Sequence, residues 1–151
     1  MEKLLISACL LGERCRYDGA SRPLPEDTLS ALREHYELLP VCPERDGGLT
    51  TPRIPSERRG ERVVNRAGED VTAYYRRGAA RAFACATNAG CTLALLKERS
   101  PSCGSGEIYD GSFTGRRIPG DGVAAETLKK AGITVLGESE ISKLLDAKAG
   151  R

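Results

Sequence analysis

Three cysteines occupy matching places in this sequence, each just past a short apolar run. Leu4-Leu5-Ile6-Ser7-Ala8 leads into Cys9, and Glu37-Leu38-Leu39-Pro40-Val41 leads into Cys42-Pro43-Glu44. Thr92-Leu93-Ala94-Leu95-Leu96-Lys97 precedes Ser100-Pro101-Ser102-Cys103-Gly104. Apolar runs of this length read as buried strands. Pro101 stops any helix and biases Ser100 toward an extended backbone, and Gly104 allows a sharp bend. Thiolates are soft ligands that select zinc, copper(I) or iron–sulfur clusters. A structural zinc site fills four positions, whereas a catalytic centre keeps one open. Cys15 is the candidate for a fourth ligand. Free cysteine is also a common small core residue. That reading fits Cys85, in an alanine-rich segment, and Cys91, at a strand start.

Glu44 lies two residues after Cys42. It is a candidate general base, a proton donor or a turn carboxylate. Ser100 and Ser102 can donate to a substrate or to sulfur, or satisfy a bent backbone. Lys97 ends the third run and is placed to reach the same crevice. Asp18, before Gly19, reads as a turn residue. His35, the only histidine, reads as a surface or capping residue. No Ser-His-Asp or Cys-His set can be built, and there is no phosphate-binding glycine loop followed by Lys-Ser or Lys-Thr.

The elements that must position these groups alternate. Strands are expected over 3–8, 37–41, 91–97 and 133–136, with helices over 28–36, 72–90, 123–131 and 138–148. Strand, crossover helix and strand imply parallel pairing. The expected fold is a small three-layer α/β/α domain over 1–151, with a mostly parallel four-stranded sheet. Ligands of such sheets bind beyond the carboxyl ends of the strands, where Cys9, Cys42 and Cys103 are expected. A long irregular section over 45–69 interrupts the alternation. Glu57, Arg58, Arg59, Glu61, Arg62 and Arg66 make it dense in charge. It reads as a solvated flap or hairpin, or as an arginine-lined lid over an anionic or nucleobase-like ligand. A short hairpin is expected over 107–113, and a loop over 119–122.

The chain has 151 residues, 40% hydrophobic and 29% charged, as a soluble globular protein does. The net charge of +2 does not argue for a nucleic-acid protein. A local anion- or RNA-binding site through Arg53, Arg58, Arg59 and Arg62 is the alternative that it leaves open. No segment approaches the about 20 apolar residues that span a bilayer, and the first apolar run is too short for a signal peptide. A cytoplasmic protein is expected, and its six cysteines then serve as thiols or ligands rather than disulfides.

The motifs together resemble the DUF523 family, which includes thiouracil desulfurases. The matching stretches are Ser7-Ala8-Cys9-Leu10-Leu11-Gly12, Cys15-Arg16-Tyr17-Asp18-Gly19, Pro40-Val41-Cys42-Pro43-Glu44, Gly47-Gly48-Leu49, Pro52-Arg53, Asp70-Val71-Thr72, Leu96-Lys97, Ser100-Pro101-Ser102-Cys103-Gly104, Tyr109-Asp110-Gly111 and Pro119-Gly120-Asp121-Gly122-Val123. The resemblance implies a 4Fe-4S cluster on Cys9, Cys42 and Cys103, with Cys15 a possible fourth ligand; the alternative that the residues themselves leave open is a structural zinc domain without catalysis on Cys9, Cys15, Cys42 and Cys103. It implies non-redox removal of sulfur from a small thiolated base. The open iron would act as a Lewis acid on the thiocarbonyl sulfur, and water would replace it. Glu44 would then transfer protons and Ser100 would position substrate, assisted by Lys97 or Ser102.

Overall fold

The apolar run after Lys3 forms β1 (Glu2–Ser7), and both of its faces are covered. Side chains alternate along a strand. Leu4 and Ile6 therefore pack on one side with Leu32 and Leu144, and Leu5 packs on the other with Ala86, Ala125 and Leu128. A computed structural model describes residues 1–149. It continues with α1 (Glu26–His35), β2 (Tyr36–Val41), α2 (Pro43–Asp46), β3 (Ser56–Arg59), β4 (Arg62–Asn65), α3 (Thr72–Ala89) and β5 (Leu93–Leu96). After these come β6 (Glu107–Tyr109), β7 (Arg117–Pro119), α4 (Val123–Lys130), β8 (Thr134–Gly137) and α5 (Ile141–Ala149).

The central sheet has the order β2-β1-β5-β8, and all its pairs are parallel. Helices α1 and α5 cover one face, and α3 and α4 cover the other. From β1 the chain crosses outward to β2, then returns past β1 to β5. The order therefore reverses between β1 and β5, at their carboxyl ends. That reversal opens the crevice in which parallel sheets bind ligands. The Ser7 hydroxyl ties the two ends together by accepting from the Lys97 backbone N–H at 2.8 Å.

The charge-dense stretch is a hairpin, β3 with β4. Arg58 anchors it to the body of the molecule. Its guanidinium is buried, donates to the Asp121 carbonyl at 2.7 Å and meets Glu126 on α4 at 3.0 Å. The second hairpin is longer than the expected 107–113. β6 pairs with β7, and residues 110–116 form the connection. Asp110 accepts from the Ser112 N–H, which makes an Asx turn rather than a two-residue hairpin turn.

The one-turn helix α2 has no counterpart in the sequence reading, and four residues carry no periodicity. Packing defines it. A Cβ on Gly47 would overlap the Tyr74 carbonyl oxygen, and one on Gly78 would overlap that of Pro43. Glycine at both positions lets the backbones of α2 and α3 touch, which fixes the turn carrying Glu44. No helix among the described residues is long and apolar enough to cross a membrane.

Candidate active site

Cys9, Cys42 and Cys103 line one recess at the carboxyl edge of the sheet. Cys9 sits in the single turn Ala8–Leu11 that ends β1, and Cys42 is the residue between β2 and α2. Cys103 lies on the bend after β5. That bend is gripped from two sides. The Ser100 hydroxyl accepts from the N–H groups of Ser102 and Cys103, at 3.1 and 3.0 Å. The first N–H groups of α4, which lack helical partners, donate to the Pro101 and Ser102 carbonyls at 2.8 to 3.0 Å. Gly104 serves by its lack of a side chain, since a Cβ there would lie 2.8 Å from the Ser100 oxygen.

All three thiols are buried, and so is Cys15 beside them. Burial pushes Cys9 up to about 11 and Cys103 up to about 12. The Cys42 thiol lies 3.7 Å from the Cys15 carbonyl; contact between the two thiols holds Cys42 below the ordinary thiol range, and the same contact, with burial, holds Cys15 above it. The Ser102 hydroxyl oxygen lies 3.7 Å from the Cys103 sulfur, and the Ser7 hydroxyl is also beside it. Arg16 also lines the recess, and its buried Nε has no hydrogen-bond partner among the described residues. Its nearest carboxylate oxygen, on Asp18, is 3.6 Å away. A buried guanidinium N–H left unpaired is costly. Three soft donors, hydroxyls beside a ligand sulfur and the Arg16 charge acting on Cys9 together suit a sulfide-bearing cluster.

Glu44 is the hub of the recess wall. One carboxylate oxygen accepts from the Tyr75 hydroxyl at 2.7 Å and from Arg53 Nε at 3.2 Å. The other accepts from the Ser102 hydroxyl at 3.0 Å and the Ser100 hydroxyl at 3.4 Å. Arg53 also donates to the Cys15 carbonyl at 2.9 Å, which locks the cysteine loop onto α2. Lys97 reaches the same edge, with its ammonium 2.7 Å from Glu138.

Glu44, Arg53, Arg16 and Lys97 form a shared wall, because they also line a larger chamber of about 460 Å³. Ser100 opens onto that chamber, whose rim carries Tyr17, Tyr109 and Phe113. The four predicted catalytic candidates and the three predicted thiol ligands are thus brought to one place. Cys85 and Cys91 are not. Cys91 sits at the opposite edge of the sheet, where its thiol meets the Lys3 and Leu93 carbonyls.

A model of the 2-thiouracil desulfurase family matches residues 4–140. The chain belongs to the 2-thiouracil desulfurase family. A solved structure of a 4Fe-4S-dependent thiouracil desulfidase, TudS, superposes with a TM-score of 0.93 at 46% identity, over 100% of both chains. The Bacillus subtilis protein YbbK, described as uncharacterised, is 40% identical over 94% of this chain and 99% of its own.

Membership of the desulfurase family does not favour the RNA-binding alternative, and three of the four arginines proposed for it are engaged within the protein. Arg53 serves Glu44, Arg58 is buried against Glu126, and Arg59 donates to the Gly111 carbonyl at 2.7 Å. Sequence reasoning assigned no site role to Arg16, Tyr75 or Glu138. Arg16 follows Cys15 in the chain, and that adjacency was its only signal. Tyr75 reads as one more apolar position on α3, and Glu138 lies forty-one residues from the lysine it holds.

Proposed function

We propose that this desulfurase removes sulfur from 2-thiouracil or a related thiolated pyrimidine base, giving the oxo base and sulfide. A 4Fe-4S cluster is held by Cys9, Cys42 and Cys103. The observation that carries this reading is the shared wall. Thiols on one side and a substrate-sized chamber on the other share a wall of Glu44, Arg53, Arg16 and Lys97, and the Ser102 and Ser100 hydroxyls on Glu44 open to the recess and the chamber respectively. The relative with the TudS fold is itself 4Fe-4S-dependent.

When bound, a three-thiolate cluster supplies an iron with a free position, a Lewis acid for a soft thiocarbonyl sulfur. The protein supplies the proton transfers. Glu44 takes a proton from water that adds to the ring carbon, with Ser102 and Ser100 linking carboxylate to chamber. Ser100 orients the base at the chamber mouth. Lys97, steadied by Glu138, gives a hydrogen bond to the departing sulfur. Replacement of C=S by C=O with water as reactant changes no oxidation state.

Cys15 is read as a neighbour of the Cys42 thiol, which reaches the Cys15 carbonyl at 3.7 Å, rather than as a fourth ligand, and this leaves one iron open. A lone zinc ion would need sulfurs about 3.8 Å apart around one point. The similar TudS structure is that of a 4Fe-4S-dependent enzyme, which favours a cluster over a lone zinc. The test is sulfide and uracil formation from 2-thiouracil by anaerobically prepared protein. Iron-loaded protein that yields no sulfide from any thiolated pyrimidine would overturn the reading.

A further inference from the structure

Two residues other than glycine have positive φ among the described residues, Arg99 at 66° and Phe113 at 58°. Both line the chamber of about 460 Å³. A side chain in the left-handed region costs stability, and such backbone persists only where its surroundings enforce it. At Phe113 the enforcing contacts come from the β3–β4 hairpin. One Glu57 oxygen accepts from the N–H groups of Gly111 and Phe113, at 2.9 and 3.1 Å. Arg59 donates to the Gly111 carbonyl, and the Arg66 guanidinium lies 5.6 Å from the centre of the Phe113 ring.

Core packing does not account for this phenylalanine. It belongs to none of the three apolar clusters and stands half-buried at the chamber rim. A glycine would hold the same turn without strain. What glycine lacks is a flat ring. Aromatic rings and guanidinium planes are the groups on which unpaired bases stack.

We propose that the Phe113–Arg66 pair is the platform on which the pyrimidine ring stacks in the chamber. The charged β3–β4 hairpin then exists to hold that platform in a backbone conformation the sequence would otherwise avoid. The identity of the ring rests on the desulfurase reading above, whereas the stacking role does not.

The test compares Phe113→Gly, Phe113→Leu and Phe113→Tyr with the wild type, all as anaerobic holoprotein. Three quantities are read: the unfolding midpoint Tm, the dissociation constant for uracil, and KM and kcat for 2-thiouracil. Phe113→Gly is expected to leave Tm at or above the wild-type value, because the strain is gone. It is expected to weaken uracil binding and raise KM about tenfold or more, given what a lost stacking contact is worth. KM should move further than kcat, Phe113→Leu should weaken binding similarly, and Phe113→Tyr should restore it. A fall in Tm for Phe113→Gly would mark Phe113 as packing and overturn the proposal. So would unchanged uracil affinity, or a wild type that binds no uracil. If the wild type binds uracil through Phe113 yet releases no sulfide, the desulfuration reading fails and the platform stands. If sulfide is released and Phe113→Gly leaves KM alone, the platform fails and desulfuration stands.

Discussion

The Ser102 hydroxyl donates to Glu44 across 3.0 Å and lies 3.7 Å from the Cys103 sulfur. One small residue thus joins the carboxylate to the thiol recess. It can do so because the bend at 100–104 is clamped by α4 and because α2 is pressed against α3.

Glu44→Gln keeps the shape of the side chain and removes its basicity. A positioned acid–base group contributes between about 100-fold and 10,000-fold in rate. Sulfide release from 2-thiouracil should fall within that range, with iron content unchanged. Ser102→Ala should cost less, because Ser100 also reaches the carboxylate. Loss of iron in Glu44→Gln would instead assign Glu44 to cluster retention.

Cys15→Ser should keep the full complement of iron while shifting the reduction potential or the absorption of the cluster. Hydrogen bonds to ligand sulfur tune both, and a serine hydroxyl replaces the thiol beside Cys42. Iron loss on the scale of a ligand mutant would show that Cys15 coordinates the metal.

Gly78→Ala places a methyl group on the Pro43 carbonyl oxygen. Overpacking of this kind costs about 1 to 3 kcal/mol. A lowered Tm is expected, together with a drop in kcat, because the displaced turn carries Glu44. An unchanged Tm would mean that the α2–α3 contact yields easily.

In the cluster-free chain, burial raises Cys9 to about 11 and Cys103 to about 12 from the ordinary 9.0. A thiol raised in this way favours the folded state while neutral. Its contribution is complete below pH 9 and is lost as pH rises through 11 to 12. Cys42, held below the ordinary 9.0 by its contact with Cys15, acts in the opposite sense, and its contribution is lost as pH falls below 9. Thermal scans of the cluster-free protein should show Tm falling above pH 9 more steeply than in a Cys9→Ala, Cys103→Ala double variant. Parallel curves would remove the assigned shifts.

The alternation of strands and helices was legible because β1, β2, β5 and β8 are short apolar runs and each helix between them has its own periodicity. That alone placed Cys9, Cys42 and Cys103 at one edge of a parallel sheet. The hairpins were harder to read. β7 is Arg117-Ile118-Pro119, with neither strand length nor an apolar pattern, and it exists because β6 pairs with it. Glu44 was found by its nearness to Cys42, whereas Tyr75, which bonds it, comes from a helix thirty-one residues away. Arg16 announces itself only through an unpaired buried nitrogen, which no sequence displays.

The most direct measurement is the iron and acid-labile sulfide content of protein purified without air. It should be repeated with Cys9, Cys42 and Cys103 each changed to alanine. A 4Fe-4S centre predicts about four iron and four sulfide per chain in a brown protein, lost in each of the three variants. A colourless protein with one tightly held zinc, or a cluster indifferent to any of those three thiols, would contradict it.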